Sequence, residues 1–337
     1  MQNAHGTLEY ARPHGPNFVL RGWMVDANGP FERIVVRPSW GVAYGAVPIE
    51  RPDLGLAITT LPRCEEAGFH VDVPMEIAAG GGAIDLVLEG LRGGEVQAEM
   101  KIGCRLLPDD FPIPPVHLSM RVSHTELDYL IHAGGMKTAS DFHRAAARHG
   151  MAAPERILDW GCGPGRVTAH LKALFPNAEI VGTDLDHEAV GWAAENHPGI
   201  EFVEGEPEPP LPFDSGSFDL ITGGSVFTHL TAKMQQAWMA ELRRLLAPGG
   251  RALVTTLGSF AANMRSTNES LCERLDAVGF DDQTPDATLD GVAPVGYYRG
   301  TWQTIGWTRE QWGKSMTVLD VEEAGYENYQ DLWVLTR

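Results

Sequence analysis

The chain has 337 residues, 43% of them hydrophobic and 21% charged, with a formal net charge of -19. That length suits one large domain or two, with enough apolar material for a full core. The acidity, with no lysine- or arginine-rich run, reads as solubility and excludes nucleic acid or an anionic membrane surface as the main partner. The four cysteines, Cys64, Cys104, Cys162 and Cys272, are widely separated and form no C-x-x-C pair, so neither a zinc site nor a disulfide framework is expected. No apolar leader core opens the chain and no apolar run approaches about 18 residues, so the expectation is a cytoplasmic protein without a membrane span.

Residues 1–107 alternate apolar and polar side chains in short runs, at 17–25, 31–37, 68–73, 83–89 and 96–102. Turn formers separate them: Asn28-Gly29-Pro30, Pro48, Pro52 and Gly80-Gly81-Gly82. Spaced strands with little helix between them predict a small all-β sandwich domain. Residues 108–150 read as a proline-rich linker, with Pro108, Pro112, Pro114 and Pro115, and then a helical cap. The helices are expected over 123–131 and 140–149. Ser140 would N-cap the second, and Arg144 and Arg148 would lie one turn apart on a surface face.

From 151 to 337 strand and helix patterns alternate, which predicts a mostly parallel, doubly wound sheet with ligands at the carboxyl ends of its strands. The first strand runs into Asp159-Trp160-Gly161-Cys162-Gly163-Pro164-Gly165-Arg166, and a helical pattern follows over 167–175. Glycines there admit positive φ and a close ligand, and the helix start beyond them offers free N–H groups. A dinucleotide fingerprint would need glycine where Arg166 stands. A P-loop would need Gly-Lys where the chain has Arg166-Val167.

The second strand, 179–184, ends in Asp184, about 20 residues beyond the loop, where a carboxylate accepts two ribose hydroxyls in Rossmann-like folds. Asp186 reads as the N-cap of a helix over 187–195. A third element runs from 200–203, through Glu204, Glu206 and Glu208, to 218–221, and a fourth covers 225–230. A helix over 232–246 is expected to stop at Pro248-Gly249-Gly250, before a strand at 251–256. Runs at 318–322 and 331–335 bracket Gly325-Tyr326-Glu327-Asn328 and read as a strand pair.

The D-x-G-x-G-x-G pattern resembles the first motif of class I S-adenosylmethionine (SAM) methyltransferases. The combination PPLPF, GSFDLI, SVFTHL, ELRRLLAPGG and the terminal YQDLWVLTR is similar to bacterial members, over about residues 120–337. The resemblance implies an α/β fold, a Rossmann-like doubly wound seven-stranded sheet that the strand pair at 318–322 and 331–335 closes with its last strand antiparallel, with SAM as cofactor and S-adenosylhomocysteine as product. It implies cofactor contacts at Asp159 for the cationic amino end, Gly161, Gly163 and Gly165 along the methionine and ribose, and Asp184 at the ribose. Glu206 would lie near the adenine or its flanking loop, with Glu204 and Glu208 as alternatives, and Ser225 beside the methyl. The N-terminal pattern RGW, VD, GPFERI, VR and ERPDLG is similar to small β-sandwich modules appended to bacterial glycosyltransferases and methyltransferases.

Methyl transfer needs an aligned nucleophile and often a base. Ser225, Thr228 and His229 follow the fourth strand, and His229 is the candidate base because an imidazole titrates near neutrality; the other reading is that it orients the loop. Tyr297 and Tyr298 are candidate acceptor-binding residues, while Trp307 and Trp312 read as packing. Asp281 and Asp282 read as solvated loop acids, and no metal is expected. Cys162 reads as packing, and Trp160 points either into the core or over the cofactor. The expected reaction is O-methylation of a sugar or glycan hydroxyl. A small hydroxylated metabolite as acceptor, or a binding protein with a vestigial domain, is the alternative.

Overall fold

Alternation in the N-terminal strands sorts side chains to two faces: in Gly68–Pro74, Phe69, Val71 and Val73 are buried while Asp72 is exposed. The structure, a computed structural model, describes residues 4–14, 17–38, 42–58, 61–74, 84–104, 111–123, 128–264 and 269–337. The chain divides into two units, Met1–Phe111 with Leu127–Asp141 and Asn263–Thr267, and Pro112–Glu126 with Phe142–Ala262 and Asn268–Arg337. The expected turn at Gly80-Gly81-Gly82, Pro108 of the linker, and residues 124–127 of the expected first helix lie outside the described residues.

The first unit contains β1 (His5–His14), β2 (Asn17–Asp26), β3 (Gly29–Pro30), β4 (Arg33–Pro38), β5 (Tyr44–Gly45), β6 (Val47–Ile49), α1 (Pro52–Ala57), β7 (Gly68–Pro74), β8 (Ile84–Arg92) and β9 (Glu95–Cys104). One antiparallel sheet has the order β1-β2-β7-β6, with β3 beside β2, and a second has the order β5-β4-β8-β9. Leu20, Met24, Phe69 and Val71 of the first sheet share a buried cluster with Ile34, Val36, Leu86, Leu88 and Met100 of the second. Burying each such side chain contributes roughly 1.5–3 kcal/mol. Asp26 is fully buried at a strand end; burial pushes its carboxyl up, but two 2.8 Å bonds from Arg92 bring it below the ordinary value. Strand β1 adds to the expected runs, since its sequence, HGTLEYARPH, carries no regular apolar-polar alternation.

The remaining elements are α2 (Val116–Ser123), α3 (Asp128–Arg148), β10 (Arg156–Trp160), α4 (Thr168–Leu174), β11 (Glu179–Asp184), α5 (His187–Asn196), β12 (Glu201–Glu204), β13 (Phe218–Gly223), α6 (Ala232–Leu245), β14 (Leu246–Thr256), α7 (Ser259–Asn263), α8 (Glu269–Val278), β15 (Phe280–Pro285), β16 (Arg299–Gln303), α9 (Ile305–Trp312), β17 (Thr317–Tyr326) and β18 (Gln330–Thr336). A seven-stranded sheet has the order β12-β11-β10-β13-β14-β18-β17. Strands β12 to β14 pair in parallel, and β18 is antiparallel to both β14 and β17. The chain builds outward from β10 through β11 to β12, then returns to place β13 on the other side of β10. The carboxyl ends of β10 and β13 therefore flank a topological switch point, where ligands bind in open α/β sheets.

Three elements differ from their sequence reading. Helix α3 is continuous, and Ser140 lies inside it, its hydroxyl donating to the Met136 carbonyl at 2.9 Å rather than capping a helix start. Arg144 is half-buried in the same helix, while Arg148 is exposed. Residues 225–230 are no strand: the strand is β13, and a 3-10 turn at Phe227–His229 follows. Strand β14 starts at Leu246, before the Pro-Gly-Gly expected to interrupt the chain, and accommodates it with a register shift against β13.

Trp160 resolves to the core, 4.8 Å from Trp238 and 5.1 Å from Phe227 between ring centroids. Trp312 is 1% exposed, and its indole N–H donates to Gln235 at 3.0 Å, so the packing expectation for α9 holds there. Among the described residues no helix is long and apolar enough to cross a membrane.

Candidate functional site

Strand β10 ends in a loop whose three glycines all lie in the left-handed region, at φ 78°, 52° and 79° for Gly161, Gly163 and Gly165. An L side chain would be strained at each of them, and the space is filled as well. A Cβ on Gly161 would come within 2.3 Å of Val226 Cγ2, and one on Gly163 within 2.8 Å of Val122 Cγ1 from α2. Behind Gly165 stands the buried His197 ring, itself beside Trp192 and Phe202. The loop is sewn to β11: the N–H groups of Gly161 and Cys162 both donate to the Thr183 carbonyl, at 2.8 and 3.1 Å. Cys162 is buried and burial pushes its thiol well up, which leaves it a packing residue.

Two carboxylates stand at the ends of these adjacent strands. Asp159 is 3% exposed and accepts from Thr168 Oγ1 at 2.6 Å and from Thr222 Oγ1 at 2.8 Å. Burial pushes its carboxyl up to about 6, against the pull of the two hydroxyls. Asp159 and Thr222 are register partners across β10 and β13, so strand pairing brings the donor to the acid. Asp184 accepts from the Gly163 N–H at 2.7 Å and the Asp186 N–H at 2.9 Å, and burial raises its carboxyl as well. Asp186 caps α5, accepting from the Ala189 N–H, and takes a 2.8 Å bond from Arg121 of α2. Helix α2 thus sits over both the loop and the start of α5.

Beyond β12, Glu206 and Glu208 are exposed, while Glu204 pairs with His187 at 3.0 Å. Tyr297 donates to the Pro207 carbonyl of this segment at 2.5 Å, and burial pushes its phenol up to about 12. Past β13, Ser225 adopts a positive φ of 59°. Its N–H donates to Thr255 Oγ1 at 2.8 Å, and its hydroxyl accepts from Gln330 Nε2 at 2.8 Å. Thr228 donates to the Ser225 carbonyl at 2.7 Å.

His229 ends the 3-10 turn. Its Nδ1 lies 3.0 Å from the Arg299 carbonyl oxygen, and its ring stacks on Tyr298 at 3.8 Å with an 11° interplanar angle. Tyr298 is raised by burial first and then by the charges of Asp286 and Asp184. Asp281 departs from its reading as a solvated loop acid: it is buried on β15 and paired with Arg274.

Sequence reasoning missed Thr168, Thr222, Val122, Val226, Thr255, Gln330 and Asp286. A hydroxyl or an aliphatic side chain carries no signal of its own until strand pairing sets it beside the loop.

The family of methyltransferase domains matches residues 157–250. The malonyl-[acyl-carrier protein] O-methyltransferase of Hahella chejuensis is 32% identical over 130 residues, 38% of this chain and 45% of the relative. The trans-aconitate 2-methyltransferase of Methylobacterium nodulans is 36% identical over 109 residues, 31% of this chain and 39% of the relative. The chain therefore spans less than half the length of these relatives. Among solved structures, human N-acetylserotonin methyltransferase in complex with SAM is 16% identical with a TM-score of 0.43, covering 66% of this chain and 55% of that one.

Proposed function

The chain carries a class I SAM-dependent methyltransferase domain, and on that premise we propose that it methylates an acceptor hydroxyl on a sugar or glycan. The observation that carries the cofactor part of the reading is the pair Asp159 and Asp184 at the carboxyl ends of neighbouring parallel strands, joined through a glycine-rich loop, while the sugar acceptor rests on the likeness of the N-terminal sequence pattern to sandwich modules of glycosyltransferases and methyltransferases. Two acids there suit a ligand bearing an ammonium and a sulfonium, and disfavour a pyrophosphate. The bare backbone of Gly161, Gly163 and Gly165 suits close approach by the methionine and ribose portions. Asp184 Oδ2 accepts from the Gly163 N–H and Oδ1 from the Asp186 N–H, which holds the carboxylate in place for a ribose diol. Exposed Glu206 stands at the edge where the adenine would lie.

The bound cofactor supplies an electrophilic methyl group. What the chain adds is alignment and a proton acceptor. A carbonyl has no proton to give, so the 3.0 Å contact with Arg299 places hydrogen on Nδ1 of His229 and the lone pair on Nε2. An imidazole in that tautomer takes a hydroxyl proton. The same reading places Ser225 and Tyr298 beside the reacting groups, and Tyr297 where it closes the loop after β12.

The test is methyl transfer from labelled SAM to a panel of free and nucleotide-linked sugars, phenols and di- and tricarboxylic acids. Turnover of a sugar with loss of activity in His229→Gln supports the reading. The relatives named for malonyl-[acyl-carrier protein] and trans-aconitate favour a second acceptor class, a carboxylate, which is ionised at neutral pH and needs no base. Turnover of an acid alone, insensitive to His229→Gln, would replace the first reading with the second.

A further inference from the structure

We propose that Asp286 is the positioning residue of His229: with the tautomer set by the Arg299 carbonyl, its carboxylate stabilises the imidazolium that forms when Nε2 accepts the acceptor's proton. The proposal rests on the reading of His229 as base. Three elements meet here. The 3-10 turn after β13 brings His229, the segment just past β15 brings Asp286, and the approach to β16 brings Tyr298 and the Arg299 carbonyl.

Asp286 Oδ2 lies 3.6 Å from His229 Nδ1, on the same nitrogen that donates to Arg299 at 3.0 Å. That separation is too long for a good hydrogen bond and short for a charge contact. The carboxylate is itself held: Oδ1 accepts from the Thr288 N–H at 2.9 Å, and the Asp286 N–H donates to the Tyr298 carbonyl at 3.3 Å. Tyr298, stacked at 3.8 Å, stops the ring from turning over. Tautomer, ring plane and charge are thus set by groups at 286, 298 and 299, none of them near His229 in sequence.

The step balances without a further reactant. The acceptor O–H gives its proton to Nε2, a C–O bond forms as the S–C bond breaks, and the positive charge leaves the sulfonium and appears on the imidazolium. Asp286 faces that charge across the ring. Tyr298, stacked on the ring, is a further titratable group that faces His229.

The experiment is an NMR titration of the His229 imidazole in the full chain, wild type, Asp286→Asn and Asp286→Glu, with S-adenosylhomocysteine affinity measured on each as a check on folding. It needs no acceptor. Removing the negative charge makes the imidazolium harder to form, so the His229 midpoint should fall by about one pH unit in Asp286→Asn and return toward wild type in Asp286→Glu. With the acceptor that the panel returns, Asp286→Asn should lower kcat about tenfold to a hundredfold with KM within about twofold, and move the acid limb of kcat/KM to lower pH.

An unmoved His229 midpoint in a folded, cofactor-binding Asp286→Asn overturns the proposal. A moved midpoint with full activity in His229→Gln overturns the base reading instead, and the two failures are told apart.

Discussion

The two corners of the site are built in opposite ways. The glycine-loop corner is local: Asp159 to Thr168 and Asp184 to Asp186 are two short stretches closed by bonds among themselves, with Thr222 arriving through strand pairing. The His229 corner is assembled from residues 229, 286, 298 and 299, which meet only because the two-stranded sheet of β15 and β16 lies against the turn after β13. The first corner is the one that any acceptor chemistry would share. The second is where the proposed reading puts proton transfer and acceptor contacts, and so where acceptors would be told apart.

Breaking the local corner should produce the largest effect. Gly161→Ala puts a Cβ 2.3 Å from Val226 at a φ of 78°, so S-adenosylhomocysteine binding should drop by more than about a hundredfold. Calorimetric titration checks this, and affinity within threefold of wild type would contradict the close-fitting loop.

Next in size is a pH effect on β18. Asp331 is 1% exposed, with Oδ1 taking the Ala324 N–H at 3.1 Å and Oδ2 buried without a hydrogen-bond partner; burial pushes its carboxyl from 3.8 up to about 7. A carboxyl raised on folding stabilises most below its unfolded value, and that stability is lost as pH rises through the folded one. Asp331→Asn, always neutral, should therefore gain on wild type between pH 4 and pH 8 by roughly 2–4 kcal/mol. Denaturant unfolding across that range reads the difference, and a flat difference would refute the burial argument.

A smaller change is expected when Thr222→Val leaves one oxygen of buried Asp159 without its donor, a loss of about 1–3 kcal/mol in unfolding free energy. A neutral result would mean that the hydroxyl does not hold the acid. The smallest effect belongs to Tyr297→Phe, which removes the 2.5 Å bond to Pro207 and should cost about 1 kcal/mol. Thermal melting with and without S-adenosylhomocysteine sharpens the comparison: the loss should be greater with ligand if Tyr297 closes the loop after β12.

This contrast also explains what the sequence made legible. Glycine spacing, Asp184 after a strand and Asp186 before a helix are short-range signals, and the parallel sheet followed from alternating strand and helix periods, while its antiparallel last strand followed from the family resemblance. Ser140 misled because a serine before an apolar run reads as a cap, while inside α3 its hydroxyl bonds back to the preceding turn. Asp281 misled because two adjacent acids read as solvated, and its partner Arg274 lies on a different element. Asp286 carries no local signal, since only the pairing of β15 with β16 sets it beside His229.

The central claim is that the Asp159–Asp184 corner holds SAM, and calorimetric titration of S-adenosylhomocysteine into wild type and Asp184→Ala tests it most directly. The account predicts micromolar affinity for wild type, about -8 kcal/mol, weakened tenfold or more in the variant. No heat with wild type, or equal affinity in the two proteins, would contradict it.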